Sequence, residues 1–285
     1  MKNFLKYSVM ALPLLVSTVA SSADLPAIKS APSASVSRYN WGGLYGGVNI
    51  GYGFTAYNAD WGSTWAPQAN VATWGSPSMV QTTISGVLGG GQLGFNHQIS
   101  PYFVVGFEAD IQASDMNGSN YGARKAVSGN AVGIGNQYSA IDWFGTARAR
   151  IGLTMPNYSN IMFYGTGGLA YGYVSDTNSK AMLVFNPIGN GASGVSTYGD
   201  TKTGWSAGGG VEWSPQTFPA WSAKLEYLYT NLGSVMQTIP TNYTSGGSQY
   251  TTIWKHWTPY QYNTIRVGLN WHFNPISGSP IVAKY

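Results

Sequence analysis

The stretch that decides the fold is Trp221–Gly233, WSAKLEYLYTNLG. Ala223, Leu225, Tyr227 and Tyr229 share one parity, and Ser222, Lys224, Glu226 and Thr230 share the other. Successive side chains of a β-strand point to opposite faces, so this segment has one apolar face and one charged face. Seven further segments carry the same alternation: Leu44–Phe54, Gly86–Gln98, Tyr102–Gln112, Ile141–Leu153, Ile161–Val174, Thr203–Ser214 and Gln261–Phe273. In the last, Ile265, Val267, Leu269, Trp271 and Phe273 oppose Thr264, Arg266, Asn270 and His272. Ile161–Val174 has aromatics on both parities, and Phe163, Leu169 and Tyr171 are assigned outward.

The connections alternate in length. Ile99–Pro101, Thr154–Asn160 and Pro215–Ala220 are short, whereas Thr55–Thr83, Ala113–Ala140, Ser175–Lys202 and Ser234–Tyr260 are long and polar. This combination predicts an all-β, eight-stranded antiparallel transmembrane barrel of the outer-membrane type, with short periplasmic turns and long extracellular loops. Threaded that way, Phe95, Phe103, Trp213, Trp221, Trp271 and Phe273 fall at the periplasmic rim, and Phe54, Trp143, Trp205 and Tyr229 at the outer rim. Two aromatic girdles are what interfacial Trp and Tyr predict. Trp41 has the wrong parity for this rule. A soluble β-sandwich would instead carry its charges on outward faces.

The start of the chain sets the compartment. Lys2 and Lys6, the apolar run Val9–Val16 and the small residues Ser21–Ala23 read as a signal peptide cleaved after Ala23, for export by the Sec pathway. That apolar run is well short of the ~20 residues of a helical span. Asp24–Asn40, rich in Ala, Ser and Pro, reads as a flexible periplasmic linker, residues 41–273 as the barrel, and Asn274–Tyr285 as a periplasmic tail. The compartment is the cell outer membrane of a Gram-negative bacterium.

Composition agrees. Charged residues make up 8%, against roughly 25% in a soluble domain, yet mean hydropathy is only −0.09. Gly 38, Tyr 20 and Trp 11 fill the gap. Without Lys2 and Lys6, 12 basic residues stand against 10 acidic, too even a balance to argue for nucleic acid. With no cysteine, disulfides and thiolate metal sites are excluded.

On the inward parity Glu108, Asp110, Glu212 and Glu226 face Arg148, Arg150, Lys224 and Arg266. Asp142 shares that parity near the outer mouth. An eight-stranded barrel is just wide enough for side chains to fill, so these residues are expected to form interior ion pairs with no water channel. Nothing in their spacing marks a catalytic pair, and no enzyme activity or metal site is expected. Gly89–Gly94 (GGGQLG) fits G-x-G-x-x-G in letters only, because no helix follows. His97 and His272 are expected at the solvated periplasmic rim. His256 lies in the fourth long loop beside Trp254, Trp257, Tyr260 and Lys255. Imidazole, flat aromatics and a cation could hold haem by ligation, stacking and propionate pairing; otherwise the loop packs on itself or on lipopolysaccharide.

The opening WGGLYGGVNIGYGF (Trp41–Phe54), GGGQLGFNHQ, FEADIQAS, GWSAGGGVEWS, AKLEYLYTNLG and the closing NTIRVGLNWHF, behind Ala-Asp-Leu-Pro, resemble the alphaproteobacterial small outer-membrane protein family. This is the RopB-type porin-family group, which includes immunogenic surface proteins and haemin-binding proteins. The resemblance spans nearly all of Trp41–Phe273 at the strands. It implies an OmpA-like transmembrane fold, roles in envelope integrity and host contact, and in some members haemin binding. Such barrels usually end on the aromatic that assembly machinery reads, whereas here NPISGSPIVAKY follows Phe273. Expected partners are outer-membrane lipid, lipopolysaccharide, the barrel-assembly machinery and host or environmental surface ligands. Three functions remain: a structural and surface-interaction barrel, a haemin receptor at His256, and a narrow porin.

Overall fold

The structure, a computed structural model, describes residues 38–55, 60–65, 82–125, 131–184, 192–245 and 248–273. The expected signal peptide, most of the linker and the C-terminal tail lie outside the described residues. The elements are all strands: β1 (Gly43–Thr55), β2 (Asp60–Trp65), β3 (Ser85–Ser100), β4 (Phe103–Lys125), β5 (Ala131–Thr154), β6 (Ile161–Val184), β7 (Ala192–Trp213), β8 (Trp221–Ser245) and β9 (Ser248–His272). Each pairs antiparallel with its neighbours, and β1 pairs with both β3 and β9, so eight strands close a ring. Closure leaves no unpaired edge inside lipid, which is the condition for crossing a bilayer with strands. The ninth, β2, pairs with the upper part of β9 along the edge that β1 occupies lower down.

The wall is inverted relative to a soluble protein. Leu225, Val267, Ile50 and Leu169 are exposed on its outside, whereas Arg148, Arg266, Lys224 and Glu226 are buried within. Both aromatic rims form. Trp221 and Trp271 are cross-strand partners at the lower rim, with ring centroids 4.8 Å apart, and Trp205 with Tyr229 and Trp143 with Tyr171 mark the upper one.

The long connections differ from expectation. They are mostly not irregular loops: β4 to β9 run 22 to 25 residues, about twice the 9–11 that a span requires. Paired hairpins therefore continue far above the outer rim. Outside they face water instead of lipid, and inside they bury a mixture of apolar and polar side chains, so hydropathy no longer alternates there and the strand period is hidden.

Two bulges turn side chains to new faces. At Asp142 one extra residue interrupts the β5–β6 register, between Ile141↔Val174 and Trp143↔Tyr173. Above it β5 turns the odd residues Ile141, Ser139 and Gln137 inward, and Asp142 is exposed. Its expected inward position is thus corrected, because strict alternation fails at a bulge. The second lies in β8 at Leu232–Gly233, with Gly233 in the left-handed region at φ 81°. Above it β8 buries Val235, Gln237 and Ile239.

Trp41, which fits neither girdle, is fully buried under the barrel. Its Nε1–H donates to the Ser159 carbonyl at 2.9 Å, and its backbone N–H donates to Gln98 Oε1 at 2.9 Å. Tyr39 packs edge-on against it and donates its hydroxyl to the Pro219 carbonyl at 2.8 Å. The last residues of the segment read as linker thus run beneath the ring, bonded to three of its turns. Inward glycines make room for large neighbours: a Cβ on Gly94 would strike the Tyr45 ring, and one on Gly210 the Tyr164 ring.

Candidate functional site

The chemistry of the described residues is concentrated in the lumen, which is filled in layers. At the bottom Trp41, Val104, Met162 and Tyr164 form an apolar floor with Tyr39 against it. Directly above lie the eight charges named from the sequence, all brought into one network. Three pairs are set by register, since Glu108↔Arg148, Glu212↔Lys224 and Glu226↔Arg266 are cross-strand partners. The bonds themselves reach across the barrel. Arg148 on β5 donates to Glu108 at 2.9 Å and Asp110 at 2.8 Å on β4, and to Glu226 at 3.0 Å on β8. Arg150 meets Glu212 of β7 at 2.7 Å, and Lys224 meets Glu108 at 2.8 Å rather than its register partner. Arg266 joins Asp110 at 3.1 Å and also bonds Glu226.

Uncharged groups add hydrogen bonds to these pairs, as buried ions require. Arg150 donates to the Tyr45 hydroxyl at 2.7 Å, which donates on to Glu108 Oε2 at 2.9 Å. The Arg150 guanidinium also lies 3.9 Å from the Tyr164 ring centroid, a cation–π contact. Thr146 accepts from Arg148 Nε and donates to Asp110, both at 2.8 Å. Ser222 donates to Glu212 at 2.5 Å and Asn270 Nδ2 donates to it at 2.8 Å. Because the single Ser222 proton goes to Glu212, the 2.9 Å contact from His272 must be His272 Nε2–H donating to Ser222 Oγ. His272 is buried here, not solvated as its rim position suggested; Trp41 and Tyr45 pack against it and exclude water. His97 is exposed. Sequence reasoning missed Tyr45, Tyr164, Thr146, Ser222 and Asn270. Inward parity was the one signal available for them, and their polarity is too modest to stand out beside the charges.

Above the ions lies an apolar layer that includes Leu88, Phe144, Leu232, Tyr260 and Tyr262. A second polar layer follows, within the extended hairpins. Asp176 accepts from Thr258 Oγ1 at 2.6 Å, Asn178 Nδ2 at 2.9 Å and Ser139 Oγ at 3.1 Å. Gln237 accepts from Asn178 at 2.5 Å and donates to the Asp176 carbonyl at 3.1 Å, joining β8 to β6 across the lumen. His256 is opposite Gln237 on β9 and turned inward, 1% exposed, whereas the adjacent Trp257 is turned outward, 51% exposed. These two do not share a face. The Trp254 backbone pairs with Ile239, and its side chain lies outside the described residues. Among the described residues no three His, Cys, Asp or Glu side chains are grouped as metal ligands.

Comparison with known proteins gives the following matches. The family profile described as "Outer membrane protein beta-barrel domain" matches residues 14–273. The chain is 34% identical over 277 residues to the 31 kDa outer-membrane immunogenic protein of Brucella melitensis biotype 1, covering 96% of this chain and all of that protein. The protein of the same name from Brucella suis biovar 1 matches to the same extent. Among solved structures, OprG of Pseudomonas aeruginosa is 8% identical, covering 81% of this chain and 97% of that one, with a TM-score of 0.36. Ail, the attachment invasion locus protein of Yersinia pestis, is 11% identical, covering 80% and 99%, with a TM-score of 0.29.

Proposed function

The chain belongs to the outer-membrane protein β-barrel family, and we propose that within it this protein is a non-conducting envelope barrel that meets its surroundings through its extended hairpins. The observation that carries the reading is the balanced ion network joining opposite walls. Four carboxylates and four cations, all buried, bridge β4, β5, β7, β8 and β9. An apolar floor lies below and an apolar layer above. A hydrated ion entering from either side would have to displace apolar side chains and then separate paired charges, each step costing several kcal/mol.

The outward apolar wall fits outer-membrane lipid, with lipopolysaccharide around the hairpins. The role is proposed as non-enzymatic, since the buried carboxylates are already held by cations and hydroxyls. The relatives' description as immunogenic concerns those proteins; by analogy the hairpins are the part of this one that a host antibody would reach. Planar-bilayer recording tests the reading. Refolded protein is expected to insert without current steps, and regular steps that scale with salt would refute it. A haemin-binding role at His256 finds no support in the geometry, since His256 and Trp257 face opposite ways.

A further inference from the structure

Below Trp205 the wall is continuous: β7 pairs with β8 from Trp205↔Asn231 to Trp213↔Ala223. Above it β7 keeps β6 as its partner as far as Met182↔Ala192, but among the described residues no β8 residue beyond Asn231 pairs with it. The cause is the Leu232–Gly233 bulge. Gly233, in the left-handed region, donates its N–H to Asn231 Oδ1 at 2.8 Å, which fixes the bend. Beyond it β8 stays with β9 from Ser234↔Pro259 to Ser245↔Ser248, and Gln237 reaches past β7 to Asn178 and Asp176 of β6. The upper arm of β7 is left as an edge.

Alternate residues of an antiparallel strand direct N–H and C=O to the same side. About five residues of Ser193–Thr203 therefore aim both groups into the gap, although the Thr201 N–H already donates to Asp200 Oδ1 at 2.7 Å, a bond that an added strand would have to replace. Natural edges are usually blunted by proline, bulges, clustered lysine or short length. This one has no proline, keeps an unbroken register with β6, and bears a single lysine whose Nζ lies 5.6 Å from the Tyr198 ring. Its outward residues include Val195, Thr197, Thr201 and Thr203, which suit a strand.

We propose that Ser193–Thr203 is a docking edge for an extended segment of another polypeptide, which adds to the sheet antiparallel to β7 outside the cell. A second copy in the same membrane does not fit. Barrel strands tilt by roughly 35–45°, and a two-fold axis along the membrane normal mirrors that tilt, so two β7 edges would cross at about twice the angle. A free segment has no such constraint. The matching segment carries small or β-branched side chains opposite Val195, Thr197 and Thr201, a cation opposite Asp200 and a carboxylate opposite Lys202.

The proposal rests on the surface-interaction reading for the hairpins' extracellular position. Its test is independent of the conductance test, so either can fail alone. The probe is a fluorescein-labelled peptide built on residues 171–182, the sequence that already pairs antiparallel with β7 on its other side, with Gly172→Glu, Tyr173→Thr and Val174→Lys so that a carboxylate, a β-branched residue and a cation fall opposite Lys202, Thr201 and Asp200. Full-length protein in nanodiscs is expected to bind it saturably, and a version N-methylated at alternate residues at least tenfold more weakly. Amide exchange across Ser193–Thr203 should slow at least tenfold at alternate residues on binding, while Trp205–Trp213 stays unchanged. No saturable binding, equal binding of the N-methylated peptide, or amides of Ser193–Thr203 already as slow as those of Trp205–Trp213 without peptide would overturn the proposal.

Discussion

Arg148→Met tests whether the ion network is one structure or a set of separate pairs. The substitution keeps the length of the side chain and removes the guanidinium that meets Glu108, Asp110 and Glu226. None of these is left wholly unpaired, because Lys224 still bonds Glu108 and Arg266 still bonds Asp110 and Glu226. The layer does hold four carboxylates against three cations, which leaves one net buried negative charge. Breaking a buried pair costs about 3–5 kcal/mol, and the surviving partners place the expected loss near the lower end, about 3 kcal/mol. Adding Glu226→Gln restores the balance at three against three. If the charges act together, the double variant recovers at least about 1.5 kcal/mol of the sum of the single losses, within the range of coupling for residues in one network. Urea unfolding in lipid vesicles, followed by tryptophan fluorescence with the m value held constant, reads these differences. Losses that add to within about 0.5 kcal/mol, or a single variant as stable as wild type, would refute the network as the element that holds the lumen.

Leu225→Arg puts a cation into lipid on the outward face and should cost about 2–4 kcal/mol near the midplane; folding yield into vesicles equal to wild type would reverse the face assignment. Gly94→Val drives a side chain into the Tyr45 ring and should cost about 1–3 kcal/mol by overpacking, a loss that a second change, Tyr45→Ala, should partly relieve in the same urea assay. Trp41→Ala empties the floor and should cost about 3–5 kcal/mol, read as a lower urea midpoint. Gly233→Val forces a β-branched residue into the left-handed region, at about 1–2 kcal/mol, and should slow amide exchange along Ser193–Thr203 if the bulge is what parts β8 from β7.

The eight barrel segments, their faces and both girdles were legible because lipid outside and ions inside give adjacent residues opposite chemistry. Lys224 and Glu226 alternating with Leu225 and Tyr227 is that contrast in its plainest form. Above the outer rim the contrast disappears, so the continuing strands around Ser139, Asp176 and Gln237 looked like loops. The bulges at Asp142 and Gly233 were hidden for a different reason. A one-residue insertion is set by how three strands register against each other, and no single segment records it. Trp41 looked anomalous because it was tested as a wall residue, whereas it serves as floor. For the ion network, the sequence named the eight charges, and the structure adds which walls they tie together. His256 drew notice for its aromatic neighbours, but adjacent residues on a strand point apart, and that is how His256 and Trp257 lie.

The bend at Gly233 links two properties of the outer half that otherwise look unrelated. A β8 arm that continued straight would pair with β7, and the ring would rise above the rim as an open cylinder with Gln237 far from β6. By adding a residue and turning, β8 carries Gln237 inward to Asn178 and Asp176, which ties β8 to β6 across the upper lumen. The same turn withdraws β8 from β7 and leaves Ser193–Thr203, among the described residues, as an edge. Bridging the lumen and leaving an edge are one geometric event, since a strand that leans across the lumen cannot also complete the wall. With the lumen charges paired among themselves and the lipid-facing wall apolar, the proposed recognition would fall to these hairpins, through their hydroxyl and amide side chains and the β7 edge.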